Sequence, residues 1–159
     1  MGYYDVAQIC MKGHVINKSV KGFPEHSKKF CPQCGSPTIT HCPKCNTYIQ
    51  GVFYEEEDIY DPNYEVPWFC QNCGAAFPWA EAKLKAAHEF AQSLDISKEE
   101  KKTLEQSIDD IVITTATTAA SADKFRRILS KTGKTTLETG KEILTDILSE
   151  TAKKIIFGG

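Results

Sequence analysis

Residues 31–45 read Cys31-Pro32-Gln33-Cys34-Gly35, then Ser36-Pro37-Thr38-Ile39-Thr40-His41, then Cys42-Pro43-Lys44-Cys45. The fold is decided in this stretch. Two Cys-x-x-Cys pairs stand seven residues apart, each with Pro after its first Cys and a turn-forming residue, Gly35 or Asn46, after its second. A thiolate pair at this spacing wraps backbone amides around a tetrahedral cation, most often zinc. Working outward, a third pair stands at Cys70-Gln71-Asn72-Cys73-Gly74, and a looser half-site, Cys10-x-x-x-His14, lies upstream. Seven cysteines and one histidine make eight donors. That number fills two four-ligand shells, which are closed in structural zinc sites, whereas catalytic zinc keeps a position open for water.

The spacing admits three pairings. Sequential pairing puts Cys10, His14, Cys31 and Cys34 on one ion and Cys42, Cys45, Cys70 and Cys73 on the other. A cross-brace joins the first half-site to the third and the second to the fourth. The third option joins the two central pairs to each other, although their short separation leaves little room for a hairpin. Sequential pairing is favoured because each unit then repeats the other: half-site, loop, aromatic residue, Cys-x-x-Cys. His26 and His41 are substitute donors should His14 fail, and read otherwise as surface residues. The alternative for the thiols is burial or redox chemistry, which three knuckles within about 45 residues disfavour.

Around these donors, residues 1–9 read as a short strand, Val15–Asn17 as its hairpin partner and residues 47–54 as a further strand or hairpin. The odd cysteine count argues against a disulfide framework, and reduced thiols suit the cytoplasm. Residues 1–20 lack the apolar core of a secretory signal, and no apolar run approaches the roughly 20 residues that span a bilayer. Charge is uneven. Residues 1–54 carry six lysines (12, 18, 21, 28, 29 and 44) against Asp5 and Glu25, a net +4. Residues 55–70 carry six carboxylates and no base, and residues 71–159 balance at thirteen of each sign. A uniformly basic nucleic-acid face is absent.

From Pro78 the pattern turns helical. Residues 79–94 place Ala80, Leu84, Ala87, Ala91 and Leu94 on one face, with His88 beside it as a packing or surface residue. Ser97-Lys98-Glu99-Glu100 is a capping box opening a second helix with the stripe Leu104, Ile108, Ile111 and Val112. The short link before it implies a helical hairpin. Residues 113–122 read as a Thr/Ala-rich break or a capped helix start, followed by a helix through Phe125, Ile128 and Leu129 to Lys131 that stops near Gly133. A last long amphipathic helix is expected over about 135–157, with Leu137, Leu144, Ile147, Leu148, Thr151 and Ile155 recurring at three and four. Lys124, Arg126, Arg127, Lys131 and Lys134 form a basic run whose default is a solvated face. The closing Phe157-Gly158-Gly159 reads as a frayed helix end. The expectation is an α+β chain: a double zinc ribbon over 1–77 and a domain of about four helices over 78–159.

The ordered set Cys10-x-x-Gly13-His14, Phe30-Cys31-x-x-Cys34-Gly35, Cys42-Pro43-x-Cys45 and Phe69-Cys70-x-x-Cys73-Gly74, followed by Phe77-Pro78-Trp79, resembles an uncharacterised bacterial zinc-ribbon-containing family. The resemblance covers the first half well and the tail less specifically. It implies a bacterial source and zinc binding, and it supplies no activity. From the residues, the leading functional expectation is a non-enzymatic protein-interaction module with two structural zinc ions and a helical docking or self-association tail. Its alternative is a nucleic-acid-binding ribbon using Lys12, Lys18, Lys21, Lys28, Lys29 and Lys44. A redox enzyme built on a free Cys-x-x-Cys ranks third. No hydrolase, nucleotide-binding or deaminase motif is present.

Overall fold

A computed structural model describes residues 2–55, 63–113, 115–145 and 148–158. Glu56, Glu57, Asp58 and Asp61 of the acidic stretch, with Thr114, Ile147 and Gly159, lie outside the described residues. The chain divides into two compact units, Met1–Glu81 and Ala82–Gly159.

The first unit holds five short strands: β1 (Tyr3–Val6), β2 (Gln8–Cys10), β3 (Val15–Asn17), β4 (Thr38–Ile39) and β5 (Gln50–Tyr54), with a 3-10 turn at Pro24–His26. They form two antiparallel sheets, β1-β5 and β3-β2-β4. Each sheet pairs a strand from before Cys31 with a strand from beyond it. The two halves of the internal repeat are therefore interlocked in one body, not strung as two separate ribbons. Strands of two to five residues bury little apolar surface. The core gathers instead between the metal donors: Ala7, Ile9, Ile49, Phe77, Trp79 and Ala80 pack with Cys42 and Cys70. Trp79 lies stacked on Phe77 (centroids 4.9 Å apart, 19° between planes), and its indole N–H donates to Pro67 O at 2.9 Å. A Cβ added to Gly13, in the Cys10–His14 turn, would lie 3.2 Å from Trp79 Cβ. The same indole thus backs the first half-site and the core around the second site.

Gly51 is required for space: a Cβ there would stand 2.3 Å from the carbonyl oxygen of Lys18 and 2.9 Å from the backbone of Val6. Val52 N–H donates to Lys18 O at 2.9 Å, so the chain crosses β5 at contact distance.

Buried Asp5 pins this crossing. Its carboxylate accepts from Ser19 Oγ (2.6 Å) and from the backbone N–H of Val6, Lys21 (2.9 Å) and Gly22 (3.0 Å). Burial alone would raise its pKa, but the Ser19 hydroxyl and the backbone donors outweigh it and hold the group below the ordinary carboxylate value. A depressed folded-state pKa contributes stability above the unfolded value, lost as pH falls through the folded one. Asp5→Asn is therefore expected to lower the melting temperature at neutral pH. The gap to the native protein should narrow as pH falls below about 4, and a gap independent of pH would contradict this account.

The second unit is helical. Among the described residues the chain forms α1 (Pro78–Ser93), whose first turn belongs to the first unit, α2 (Lys98–Ile111), α3 (Thr118–Thr132), α4 (Lys134–Leu144) and α5 (Glu150–Ile156). Ser97 caps α2 by accepting from Glu100 N. Against the expectation of about four helices there are five. The long last helix is two, because Ser149 turns extended and caps a new start by accepting from Ala152 N at 3.3 Å. A local cap outweighs an apolar stripe that runs through the break. Of the two readings of the Thr/Ala-rich segment the helix start holds, with α3 beginning at Thr118. The buried Thr118 hydroxyl donates to Ile113 O at 2.7 Å and ties the turn before it.

Helix α3 packs against α2, α4 and α5. Leu104, Ile108, Ile111, Phe125, Leu129, Leu144 and Ile156 are fully buried, so the stripes lie within this unit's own core. Gly140 lets α4 approach Leu129, Phe90 and Phe125. His88 bonds through Nε2 to Asp109 Oδ1 at 2.8 Å, a surface pairing between α1 and α2. Among the described residues no helix is long and apolar enough to cross a membrane.

Candidate metal centres

Three knuckles share one backbone design. In each, the N–H of the first cysteine donates to the carbonyl five residues on: Cys31 to Ser36, Cys42 to Thr47 and Cys70 to Ala75, all at 2.8 Å. The N–H four residues on returns to the cysteine carbonyl, from Gly35, Asn46 and Gly74, again at 2.8 Å. That returning residue is left-handed in every case, with φ of 72°, 64° and 74°. Glycine or asparagine is needed there for the backbone, not for room, since a Cβ at Gly35 or Gly74 would meet nothing within 4 Å. Single bridges close each knuckle at its base: Phe30 with Pro37, His41 with Tyr48 and Phe69 with Ala76. The Cys10–His14 turn is looser. Its Gly13, at φ 93°, donates to Cys10 O (2.9 Å), and Cys10 N–H donates to His14 O (3.0 Å).

These turns bring all eight sequence-predicted donors into two groups: Cys10, His14, Cys31 and Cys34, and Cys42, Cys45, Cys70 and Cys73. Within each group the donor atoms lie within 4.8 Å of one another. The grouping is the sequential one. In the first, Cys10 Sγ stands 3.7 Å from Cys34 Sγ, and His14 Nδ1 stands 3.4 Å from Cys10 Sγ and 3.5 Å from Cys31 Sγ. In the second, Cys42–Cys73 and Cys45–Cys70 are separated by 3.7 and 3.6 Å. A tetrahedron with arms of ~2.3 Å to sulfur and ~2.0 Å to nitrogen has edges of ~3.8 Å between sulfurs and ~3.5 Å between sulfur and nitrogen. The donor sets therefore fit zinc. All seven cysteines are free, and these separations far exceed the ~2.05 Å of a disulfide. Backbone N–H groups of His14, Gln33 and Asn72 donate to Cys10, Cys31 and Cys70 sulfur at 3.3–3.4 Å, as befits thiolates.

One feature escaped sequence reasoning. Two residues after the second cysteine of each knuckle stand Ser36, Thr47 and Ala75. The Ser36 side chain, with its backbone N–H, lowers the Cys34 thiol to about 6, and Thr47 does the same for Cys45, its hydroxyl 3.3 Å from the sulfur. At Cys73 the Ala75 backbone N–H also favours the thiolate. It is outweighed by partial desolvation of the sulfur and the neighbouring Cys45, Cys42 and Cys70 sulfurs, which leave this thiol at about 11. The hydroxyl at that offset was the available signal.

His26 and His41 lie outside both groups. His26 stacks on Phe23 (5.6 Å), while His41 bonds Thr40 Oγ1 (2.8 Å) and packs on the Tyr48 ring (4.2 Å). In the helical unit, Arg127 pairs with Asp123, Lys131 with Glu100 (3.9 Å), and Arg126 reaches the carbonyl of Ile155. Three of the five residues of the basic run are thus engaged by their own unit.

The burial of the two sites differs. Cys10, Cys31, Cys42 and Cys70 are buried, Cys34 and Cys45 half-buried, and Cys73 exposed. The four-cysteine site is consequently rooted in the core through Cys42 and Cys70 and open to solvent at Cys73.

Over an alignment of 75 positions, which takes in 45% of this chain, the sequence is 37% identical to part of the DNA polymerase II large subunit of Thermococcus kodakarensis, and it covers 4% of that protein's length. No solved structure matches. The model of the bacterial family described as "Uncharacterized protein conserved in bacteria (DUF2321)" matches residues 3–156, which takes in both donor groups and all five helices, and the chain belongs to that family.

Proposed function

We propose that this chain is a non-enzymatic zinc-binding module that acts by recognition, with both ions structural. The observation that carries this is the pair of four-donor groups at tetrahedral spacing, which together take in every predicted donor. Three ligands and an open position would suit catalysis, whereas four sulfur or imidazole donors suit a staple. When bound, the ion supplies cross-linking of turns that hydrophobic burial alone holds weakly. Native mass spectrometry with elemental analysis tests this: two zinc ions per chain are expected, with no thiol reacting until a chelator is added. One zinc and a reactive dithiol would return the redox enzyme to first place.

The protein-docking role expected for the helical tail is supported less well than binding through the first unit, since the stripes of α2–α5 are buried in their own core. Light scattering should then give a monomer. A second reading, nucleic-acid contact by the first unit, is favoured by a specific observation: the matched relative is by name a DNA polymerase subunit. The net +4 of residues 1–54 supports the same reading.

A further inference from the structure

Tyr48, Gln50, Pro67, Phe69, Gln71 and Phe77 line a cleft of about 140 Å³ beside the four-cysteine site. The cleft sits entirely within the first unit. Two of its rings are placed by neighbouring knuckles that share that site. Tyr48 sits on the bridge closing the Cys42 knuckle, and Phe69 on the bridge closing the Cys70 knuckle. Tyr48 is 55% exposed, although a tyrosine of its size in a zinc-built fold could have been buried. The His41 ring packs against it at 4.2 Å, and Lys21 Nζ stands 5.8 Å from its centroid, within cation–π range. Gln50 and Gln71 add side-chain amides, each of which both donates and accepts. Among the described residues the lining carries no carboxylate. Among the described residues, Glu65 lines a neighbouring groove that shares Gln50 and Pro67, whereas Lys21 stands on the Tyr48 side, where negative charge is met.

We propose that this cleft receives an unpaired base of single-stranded nucleic acid; this rests on the second reading above and names its contact surface. Its volume is well below the ~300–1,000 Å³ of sites for drug-sized molecules, and suits one planar ring system. Aromatic faces stack on any base, amides read its edge, and a lysine beside the ring meets the adjoining phosphate. A duplex keeps its bases stacked on one another and offers none to such a cleft. A second exposed aromatic with a cation, Phe30 with Lys29 at 5.7 Å, is not part of the lining and serves as a control.

The test uses the full zinc-loaded chain and fluorescence anisotropy with a labelled mixed-sequence single-stranded DNA, its RNA counterpart and the DNA duplex. The single strands should bind more tightly than the duplex, with affinity falling as salt rises. Tyr48→Ala should weaken binding by roughly 5- to 100-fold, Lys21→Ala should reduce the salt dependence, and Tyr48→Phe and Phe30→Ala should bind like the native chain. Each variant is to retain two zinc ions and the native melting temperature. Because Tyr48 and Lys21 are exposed, folding should survive both substitutions. A bromouridine cross-link mapping to the peptide holding Tyr48 is an independent readout. Single strands that bind Tyr48→Ala as tightly as the native chain, or a preference for duplex, would overturn the cleft and leave nucleic-acid binding standing. No binding of any strand at low salt would overturn both.

Discussion

A chelator strong enough to remove both metals is expected to unfold residues 1–81 while the helical unit keeps its structure. The first unit's strands are two to five residues long, and the buried cluster of eight residues described there counts two cysteines among them. Structural zinc contributes about 10–16 kcal/mol of apparent binding free energy in zinc-finger peptides at neutral pH. A whole domain is stable by only about 5–15 kcal/mol. Losing two such sites exceeds what the remaining core supplies. The second unit holds none of the eight donors, and its buried Leu104, Ile108, Ile111, Phe125, Leu129, Leu144 and Ile156 are independent of metal. The two halves can be followed separately in the intact chain. Trp68 and Trp79 are its two tryptophans, and both lie in the first unit. Tryptophan emission should shift to the red on chelation and recover with added zinc, while most helical dichroism persists. Unchanged emission in a protein verified to be metal-free would show that the core stands without its staples.

The second large effect separates burial from ligation. Cys70→Ser and Cys73→Ser each remove one sulfur from the same site, but Cys70 is packed in the core with Phe77 and Trp79 whereas Cys73 faces solvent. Water can complete the shell where Cys73 stood. At Cys70, the substitution leaves a hydroxyl against apolar rings and three thiolates short of a partner, a combination in the range of more than about 3 kcal/mol. Cys70→Ser is expected to bind a single zinc and to lose the cooperative tryptophan transition in denaturant. Cys73→Ser should remain folded, with a second zinc that competing chelators take more readily. Equal losses in the two variants would mean that the core does not depend on being rooted at this site.

Several features were legible from residue order alone. The Cys-x-x-Cys turns are local: a left-handed residue after the second cysteine and a carbonyl five residues on suffice to aim two sulfurs together, so the knuckles could be read without any tertiary information. Ser97 likewise announces α2 by itself, because a cap acts within one turn. The break at Ser149 was harder to see, since an apolar stripe at three and four continues unbroken when two short helices cover the same core. The Ser36 and Thr47 hydroxyls were overlooked because their partner, a sulfur, is a weak hydrogen-bond acceptor until it is charged.

Residue order thus picked out the eight donor residues that gather into two four-donor groups, and showed that helices follow. It could favour sequential pairing of the half-sites but could not decide it. That decision belongs to contacts across the chain: Cys10 meets Cys34 and Cys45 meets Cys70 because β2 pairs with β4, β1 pairs with β5, and Trp79 backs the first half-site while packing in the core that holds Cys42 and Cys70. Spacing fixes what neighbours along the backbone can do. Only three-dimensional packing chooses among distant partners that are chemically alike, because one thiolate is as good a donor as another until the core puts it within reach.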